Sequence, residues 1–175
     1  GYTSSNLYSR EVPLAPSHTP LKYGYPLQAR AMTLRDIQNY RQWHKAAALR
    51  AKRAGFDIIS AYAAHDLSLA MHFLQRRRNQ RSDGYGGTLE NRIRLLREVL
   101  QDTKDAVGDR CAVALRFATE EFLGEGGVHN AEAKEIVHHL ADLPDIWDVN
   151  VAAWYNDSLT SRFGAEGYQQ PFTAW

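Results

Sequence analysis

From Thr33 to Ala152 the chain alternates between stretches with a helical period and short apolar runs that have none. Thr33 followed by Asp36 has the spacing of a near capping box and predicts a helix start. Ile37, Tyr40, His44, Ala47, Ala48 and Ala51 then fall on one face, and Gly55 supplies a C-terminal stop. Phe56 to Tyr62 reads as a short buried strand. Thr88 caps a second helix that turns Leu89, Ile93, Leu96 and Leu100 inward and carries a Glu90–Arg94 pair outside. Cys111 to Phe117 reads as the next strand. Asn130 opens a third helix running to about Asp142, and Trp147 to Ala152 reads as the last strand. Repeated helix–strand alternation, with strands apolar on both faces, specifies a parallel α/β arrangement rather than an open antiparallel sheet.

Which α/β fold this is turns on the ends of the strands. No Gly-x-Gly-x-x-Gly turn follows any of them, which argues against a dinucleotide-binding sheet. Gly84-Tyr85-Gly86-Gly87 and Gly124-Glu125-Gly126-Gly127 stand before helices and read as turns. Tyr62 and His65 follow the first strand, Arg116 closes the second, and Trp154, Asn156 and Asp157 follow the third. A (β/α)8 barrel assembles its active site from that rim, one or two groups per strand. Such a barrel takes about 200 residues or more, so these 175 residues hold a fragment of a TIM barrel, about three consecutive units of it. Left alone, three parallel strands expose two unpaired edges, and the piece is not expected to be stable by itself.

Composition narrows the partners. The chain is 44% hydrophobic and 23% charged with a formal net charge of +1, so bulk electrostatics advertise no nucleic-acid or membrane partner. No apolar run approaches the roughly 20 residues that cross a bilayer. A cytoplasmic protein is expected, although the lack of a charged-then-apolar leader at Gly1 says nothing about the parent protein. The single cysteine, Cys111, reads as a small buried hydrophobe. His138 and His139 are adjacent on a helix and do not face one ion, so no metal site is expected.

One loop and helix carry a specific resemblance. The stretch Asn79-Gln80-Arg81-Ser82-Asp83-Gly84-Tyr85-Gly86-Gly87-Thr88-Leu89-Glu90-Asn91-Arg92 resembles the signature of the old yellow enzyme family. That family writes Asn-x-Arg-x-Asp-x-Tyr-Gly-Gly-Ser-x-Glu-Asn-Arg, and only Thr88 departs from it. Asn6, Ser9, Arg10, Pro13, Pro16 and Ser17 resemble the loop after the third barrel strand in the trimethylamine and dimethylamine dehydrogenase branch. The resemblance runs in register over the whole chain, from the end of strand 3 to just past strand 6. It implies a partial FMN-binding barrel domain over residues 1–175. Residues 1–32 form a long loop after strand 3, 33–152 three βα units, and 153–175 the loop after strand 6. On the residues alone, the signature reads as structural: Gly86 and Gly87 allow a tight turn, Thr88 caps the helix, and Glu90 suits its positive end. Arg76, Arg77 and Arg78 read as a solvated basic loop.

The resemblance also implies a chemistry. Enone-reducing members carry His-x-x-His or His-x-x-Asn after the fourth strand, where this chain has Tyr62-Ala63-Ala64-His65, as the amine dehydrogenases do. Asp157 matches the aspartate of their Tyr–His–Asp triad, which makes Tyr62, His65 and Asp157 the implied catalytic set. The logic is protonic, since an amine is cationic at neutral pH and releases hydride only once neutral. Trp154 matches a tryptophan that holds the substrate cation through cation–π attraction. Arg116 resembles the arginine against the flavin N1–C2=O edge and is expected to be buried inside the barrel. The implied activity is FMN-dependent oxidation of an N-methylated amine such as trimethylamine, dimethylamine or dimethylglycine. Hydride passes to flavin N5, and the iminium hydrolyses to a smaller amine and formaldehyde. The resemblance is compatible with a homo-oligomer, an electron-transfer partner and a 4Fe-4S cluster in a C-terminal part beyond this chain. Two alternatives stand: a nicotinamide-dependent ene-reductase of the dienoyl-CoA reductase kind, or a non-catalytic truncated fragment. The isolated fragment is expected to be inactive.

Overall fold

The structure is a computed structural model that describes residues 11–20, 28–154 and 165–175. Its frame is a parallel sheet of β4 (Ile58–Ala63), β5 (Ala112–Glu120) and β6 (Ile146–Val151), ordered as in the chain. Between β4 and β5 runs α3 (Leu89–Val107), between β5 and β6 runs α4 (Asn130–Leu140), and α1 (Leu34–Arg53) precedes β4. Side chains alternate across a strand. Ala61 and Ala63, with Val113, Leu115 and Phe117, therefore share one face, where they join Ile93, Leu96 and Leu100 of α3 and Ala133, Ile136 and Leu140 of α4 in one buried core. The other face carries polar groups. Tyr62 is in register with Arg116, and Arg116 with Asp148, one row across the sheet. Helices on one face and a row of functional groups on the other are what a barrel wall requires, so this is a consecutive stretch of a (β/α)8 barrel. At its two margins Ile58, Ile146 and Val149 are exposed.

The helix starts follow the expected chemistry. Thr33 N donates to Asp36 Oδ2 at 2.7 Å and Asp36 N to Thr33 Oγ1 at 3.1 Å, a complete capping box. Hydrogen bonds from Arg30 and Thr33 hold the Asp36 carboxyl well below the usual carboxylate range. Thr88 caps α3 through Asn91 N. At α4 the cap is His129 rather than Asn130: its Nδ1 accepts from Glu132 N at 3.4 Å. The apolar face of α1 is narrower than its period suggested. Ile37 and Ala48 are buried, Tyr40, His44 and Ala51 half-buried, and Ala47 is exposed. The contact of α1 is with α3, fastened by Arg41 to Asp102 at 2.7 Å and to Glu98 at 3.2 Å.

Elsewhere the chain differs from its sequence expectation. The first 32 residues are not one structureless loop. Short strands β1 (Leu14–Ala15), β2 (Thr19–Pro20) and β3 (Gln28–Ala31) pair in a small sheet of order β1-β3-β2. Pieces this short carry no readable alternation. Helix α2 (Leu69–Leu74) was likewise unexpected, because all six residues are buried and no amphipathic face exists to reveal it. Strand β5 extends to Glu120, so Arg116 lies at its middle rather than its end. Near the C-terminus a single helical turn, α5 (Gln170–Thr173), returns to the start of α4, where the Asn130 side chain donates to Phe172 O at 3.0 Å.

The signature loop proves to be scaffold. Asn79 Nδ2 donates to Phe73 O and Tyr85 O, both at 2.7 Å. Arg81 grips Asp83 and donates to the carbonyls of Pro16 and Met32, which ties the N-terminal segment to this loop. The buried Arg92 pairs with Glu132 of α4 and donates to Leu74 O at the end of α2. Arg76 and Arg77 are exposed, as a solvated run implies, but all three arginines of the run are paired. Arg76 joins Glu132 at 2.9 Å, while Arg77 and Arg78 hold Asp66 at 2.7 and 2.8 Å. The two adjacent glycines obey different constraints. A Cβ on Gly86 would lie 2.3 Å from Arg81 O, whereas Gly87 has open space but a φ of +79°. In the full-length protein, Gly86→Ala should therefore cost about 1–3 kcal/mol by overpacking, and Gly87→Ala about 1–2 kcal/mol of left-handed strain. Thermal denaturation of both variants checks the order; a Gly86 variant as stable as the parent would contradict this packing.

Candidate active site

The C-terminal rim of the sheet brings together side chains distant in sequence. Tyr62, one residue from the end of β4, presents its hydroxyl 2.5 Å from His65 Nδ1. The two rings lie nearly parallel, with centroids 5.9 Å apart. His65 reaches this position through a left-handed backbone, φ +61°, followed at once by Asp66 at φ +56°. Consecutive left-handed non-glycine residues are costly and persist only where the surroundings hold them. Here the holding is explicit. His65 O accepts from Trp154 N at 3.0 Å, and His65 bridges Ala153 in parallel, so the rim of β4 is tied to that of β6. Trp154 stands edge-on to the imidazole, centroids 6.1 Å apart at 86°, and is itself 53% exposed.

Of the residues nominated from sequence, Tyr62, His65 and Trp154 thus converge within one cluster. Asp157 lies outside the described residues. Arg116 is one strand away, in register with Tyr62, and forms a 3.2 Å ion pair with Asp148 Oδ2. It was expected to be buried, yet its side chain is 41% exposed. The face it occupies is left uncovered by the described residues, because a barrel interior is closed only by strands on the far side. Its Nε is nonetheless buried and has no hydrogen-bond partner among the described residues.

Sequence reasoning passed over two further parts of the rim. The first is Asn150, buried near the end of β6, whose Nδ2 lies 3.0 Å from His65 Nε2. Its signal was the alternation of polar residues, Asp148 and Asn150, within an otherwise apolar strand. The second is a buried acid pair behind the rim. The Asp66 carboxylate accepts from Gln75, Arg77 and Arg78, and Gln75 Nε2 also donates to both oxygens of Glu121, at 2.7 and 2.9 Å. Burial pushes Asp66 up, but hydrogen bonds from His72 and Arg78 outweigh it and hold the group far below the usual carboxylate range. Glu121 is pushed the other way, to about 7, by burial first and by the charge of Asp66. Hydrogen bonds from Val128 N and Gln75 only partly offset this.

A stability consequence follows. A carboxyl raised in the folded state retains its proton there while the unfolded chain has lost it, so stability falls as pH rises from about 4.5 toward 7. Glu121→Gln in the full-length protein should flatten that fall. Melting temperatures across pH 5 to 8 test it, and an unchanged slope would assign the proton to another group.

The comparisons agree with this geometry. Residues 5–173 match the NADH:flavin oxidoreductase / NADH oxidase family. Histamine dehydrogenase from Rhizobium sp. 4-9 superposes with a TM-score of 0.91 at 48% identity, covering 98% of this chain and 25% of that one. The 6-hydroxypseudooxynicotine amine oxidase from Pseudomonas geniculata N1 superposes with a TM-score of 0.89 at 49% identity, covering 98% and 26%. Dimethylamine dehydrogenase from Hyphomicrobium sp. (strain x) is 36% identical over 132 residues, 73% of this chain and 18% of that protein. The chain therefore spans about a fifth to a quarter of the length of these relatives. Among the described residues, no helix is long and apolar enough to cross a membrane. This chain belongs to the NADH:flavin oxidoreductase / NADH oxidase family, within its amine dehydrogenase-like branch.

Proposed function

We propose that the full-length protein oxidises an amine at a flavin, with Tyr62 and His65 managing the amine proton and Trp154 facing its cation. The observation that carries this reading is the 2.5 Å hydrogen bond between Tyr62 and His65, with the Trp154 ring set against the same imidazole. A phenol hydrogen-bonded to an imidazole can take a proton from an ammonium group near neutral pH. An exposed indole beside it offers a π-face that attracts an alkylated cation by about 0.5–2 kcal/mol. Asp157 completes the set in this reading by orienting His65.

Arg116 is the residue of this chain suited to FMN. Its orphaned, buried Nε and its place in the row with Tyr62 fit an acceptor edge such as the flavin pyrimidine. FMN, when bound, supplies the hydride acceptor, and the arginine charge favours the electron-rich reduced form. The Asp148 carboxylate steadies Arg116 at 3.2 Å and leaves Nε free to donate. The residues of this chain serve the substrate side of the flavin. In the same reading an electron-transfer partner or a C-terminal 4Fe-4S cluster takes the electrons onward, and the isolated chain is inactive.

The substrate class is an N-methylated amine of the trimethylamine, dimethylamine or dimethylglycine kind. A second reading, an amine borne on a larger ring-containing group, draws support from the relatives at 48% and 49% identity, named for histamine and 6-hydroxypseudooxynicotine. The nicotinamide-dependent ene-reductase alternative is disfavoured by Tyr62, which engages His65 where a carbonyl-polarising pair would need two imidazole or amide donors.

Anaerobic titration of the flavin-loaded, full-length protein with these amines, and separately with NADH and NADPH, decides among the readings. Bleaching by an amine alone is the expected result and names the substrate. Bleaching only by a nicotinamide would replace the proposal with the reductase reading. Tyr62→Phe and His65→Gln should each lower the limiting reduction rate by about 10²–10⁴-fold, with flavin content unchanged.

A further inference from the structure

Among the described residues, His65 meets Tyr62 at one ring nitrogen and Asn150, which was not nominated, at the other. Nδ1 meets the Tyr62 hydroxyl at 2.5 Å, and Nε2 meets Asn150 Nδ2 at 3.0 Å. Asn150 is 7% exposed, and its Nδ2 also donates to Val151 O at 3.3 Å. Its Oδ1 is buried with no hydrogen-bond partner among the described residues. An orphaned buried acceptor is costly, about 1–3 kcal/mol, and calls for an explanation.

The imidazole supplies one. A neutral histidine has one donor nitrogen and one acceptor nitrogen. With the Asn150 amide NH₂ facing Nε2, that nitrogen is the acceptor and the ring proton sits on Nδ1; with the amide turned, Oδ1 accepts from Nε2–H and Nδ1 accepts from the Tyr62 hydroxyl. Once His65 gains a second proton, Nε2–H would face the amide NH₂, donor against donor. Turning the Asn150 amide by half a revolution removes that clash and gives the orphaned Oδ1 a partner, with loss of the Nδ2 contact to Val151 O. A single amide can therefore face either charge state of the imidazole, each with a different end.

We infer that Asn150 is a positioning residue that holds His65 by Nε2 and sets how readily it accepts a proton during amine oxidation. The inference rests on the proton-handling role proposed above for His65. The titratable and charged groups around His65 are few. Tyr62 lies on β4, and Arg116 and Asp148 stand in the row before Asn150 on β5 and β6. Asp66 follows in the chain with its carboxylate turned to Arg77 and Arg78, and the buried Glu121 lies behind Gln75 at the end of β5. Asp157 follows Trp154 outside the described residues. None of those described makes the contact to Nε2 that Asn150 makes.

Two substitutions push the imidazole in opposite directions. Asn150→Asp puts an obligate acceptor, normally anionic, against Nε2 and favours the imidazolium. Asn150→Leu keeps the volume but removes the partner and favours the neutral ring. The test measures the pH dependence of the limiting anaerobic flavin reduction rate in the full-length, flavin-loaded protein. Flavin content and melting temperature verify that each variant is folded. The ascending limb should move up by about 1 pH unit or more for Asn150→Asp and down for Asn150→Leu. A merely structural asparagine would lower the rate or the melting point in both variants without displacing the limb, and that result would overturn the inference. His65→Gln separates the two levels. If it abolishes the limb while the Asn150 variants leave it in place, only the role of Asn150 fails. If the limb survives in His65→Gln, the proton-handling role of His65 fails, and this inference with it.

Discussion

The buried carboxylate of Asp66 is the tie on which the rim depends. It follows His65 directly, and it can adopt the left-handed backbone that aims His65 at Tyr62 only because strong partners hold it. Arg77 and Arg78 donate to it at 2.7–2.9 Å, and Gln75 donates at 3.0 Å. A carboxylate taken out of water is tolerated only when its lone pairs are filled by charge-assisted donors. Those donors come from the segment just after α2, so α2 and the basic run serve the geometry of the loop after β4. Through Gln75 the tie continues to Glu121, and so the rims of β4 and β5 are joined beneath the candidate site.

A second buried pair does for the helices what Asp66 does for the rim. Arg92 and Glu132 meet between α3 and α4, with Arg76 on the same carboxylate and Leu74 O on the same guanidinium. Breaking such a pair leaves an uncompensated charge and costs about 3–5 kcal/mol. Its net contribution against an apolar core is far smaller, so its effect here is on register. It fixes which turn of α3 faces which turn of α4. The signature loop acts similarly at the other end, since Arg81 reaches carbonyls at Pro16 and Met32 that no local pairing would satisfy.

Much of this was legible in the sequence, and the misses share a cause. The helices α1, α3 and α4 showed themselves through period and caps, and the strands β4 to β6 as short apolar runs between them. Helix α2 and the small N-terminal sheet did not, since six fully buried residues and strands of two to four residues carry no period. The arginines at 76–78 read as solvated, and two of them are exposed, but the pairing with Asp66 and Glu132 was not legible because only the fold brings those partners up. Tyr62, His65 and Trp154 were found through their positions after strands and through resemblance. Asn150 was missed because a lone amide in an apolar strand has no motif, and only the parallel register reveals what it faces.

That register also explains why the site tolerates strain at several points at once. His65, Asp66 and Ala152 all have positive φ, at +61°, +56° and +77°. They sit at the matching ends of β4 and β6, and Ala153 pairs with His65 across the rim. Ala152 N reaches Glu120 O and Trp154 N reaches His65 O, so each strained residue lies beside a hydrogen bond that an unstrained backbone would misalign. The left-handed turn at Ala152 sets the direction in which Trp154 leaves the strand, and the one at His65 sets the tilt of the imidazole it faces. The two directions are coupled through the Trp154 N–His65 O hydrogen bond and the His65–Ala153 bridge. A change in the pairing of β6 would therefore move the Trp154 ring and the His65 imidazole together, and would not shift one while leaving the other in place.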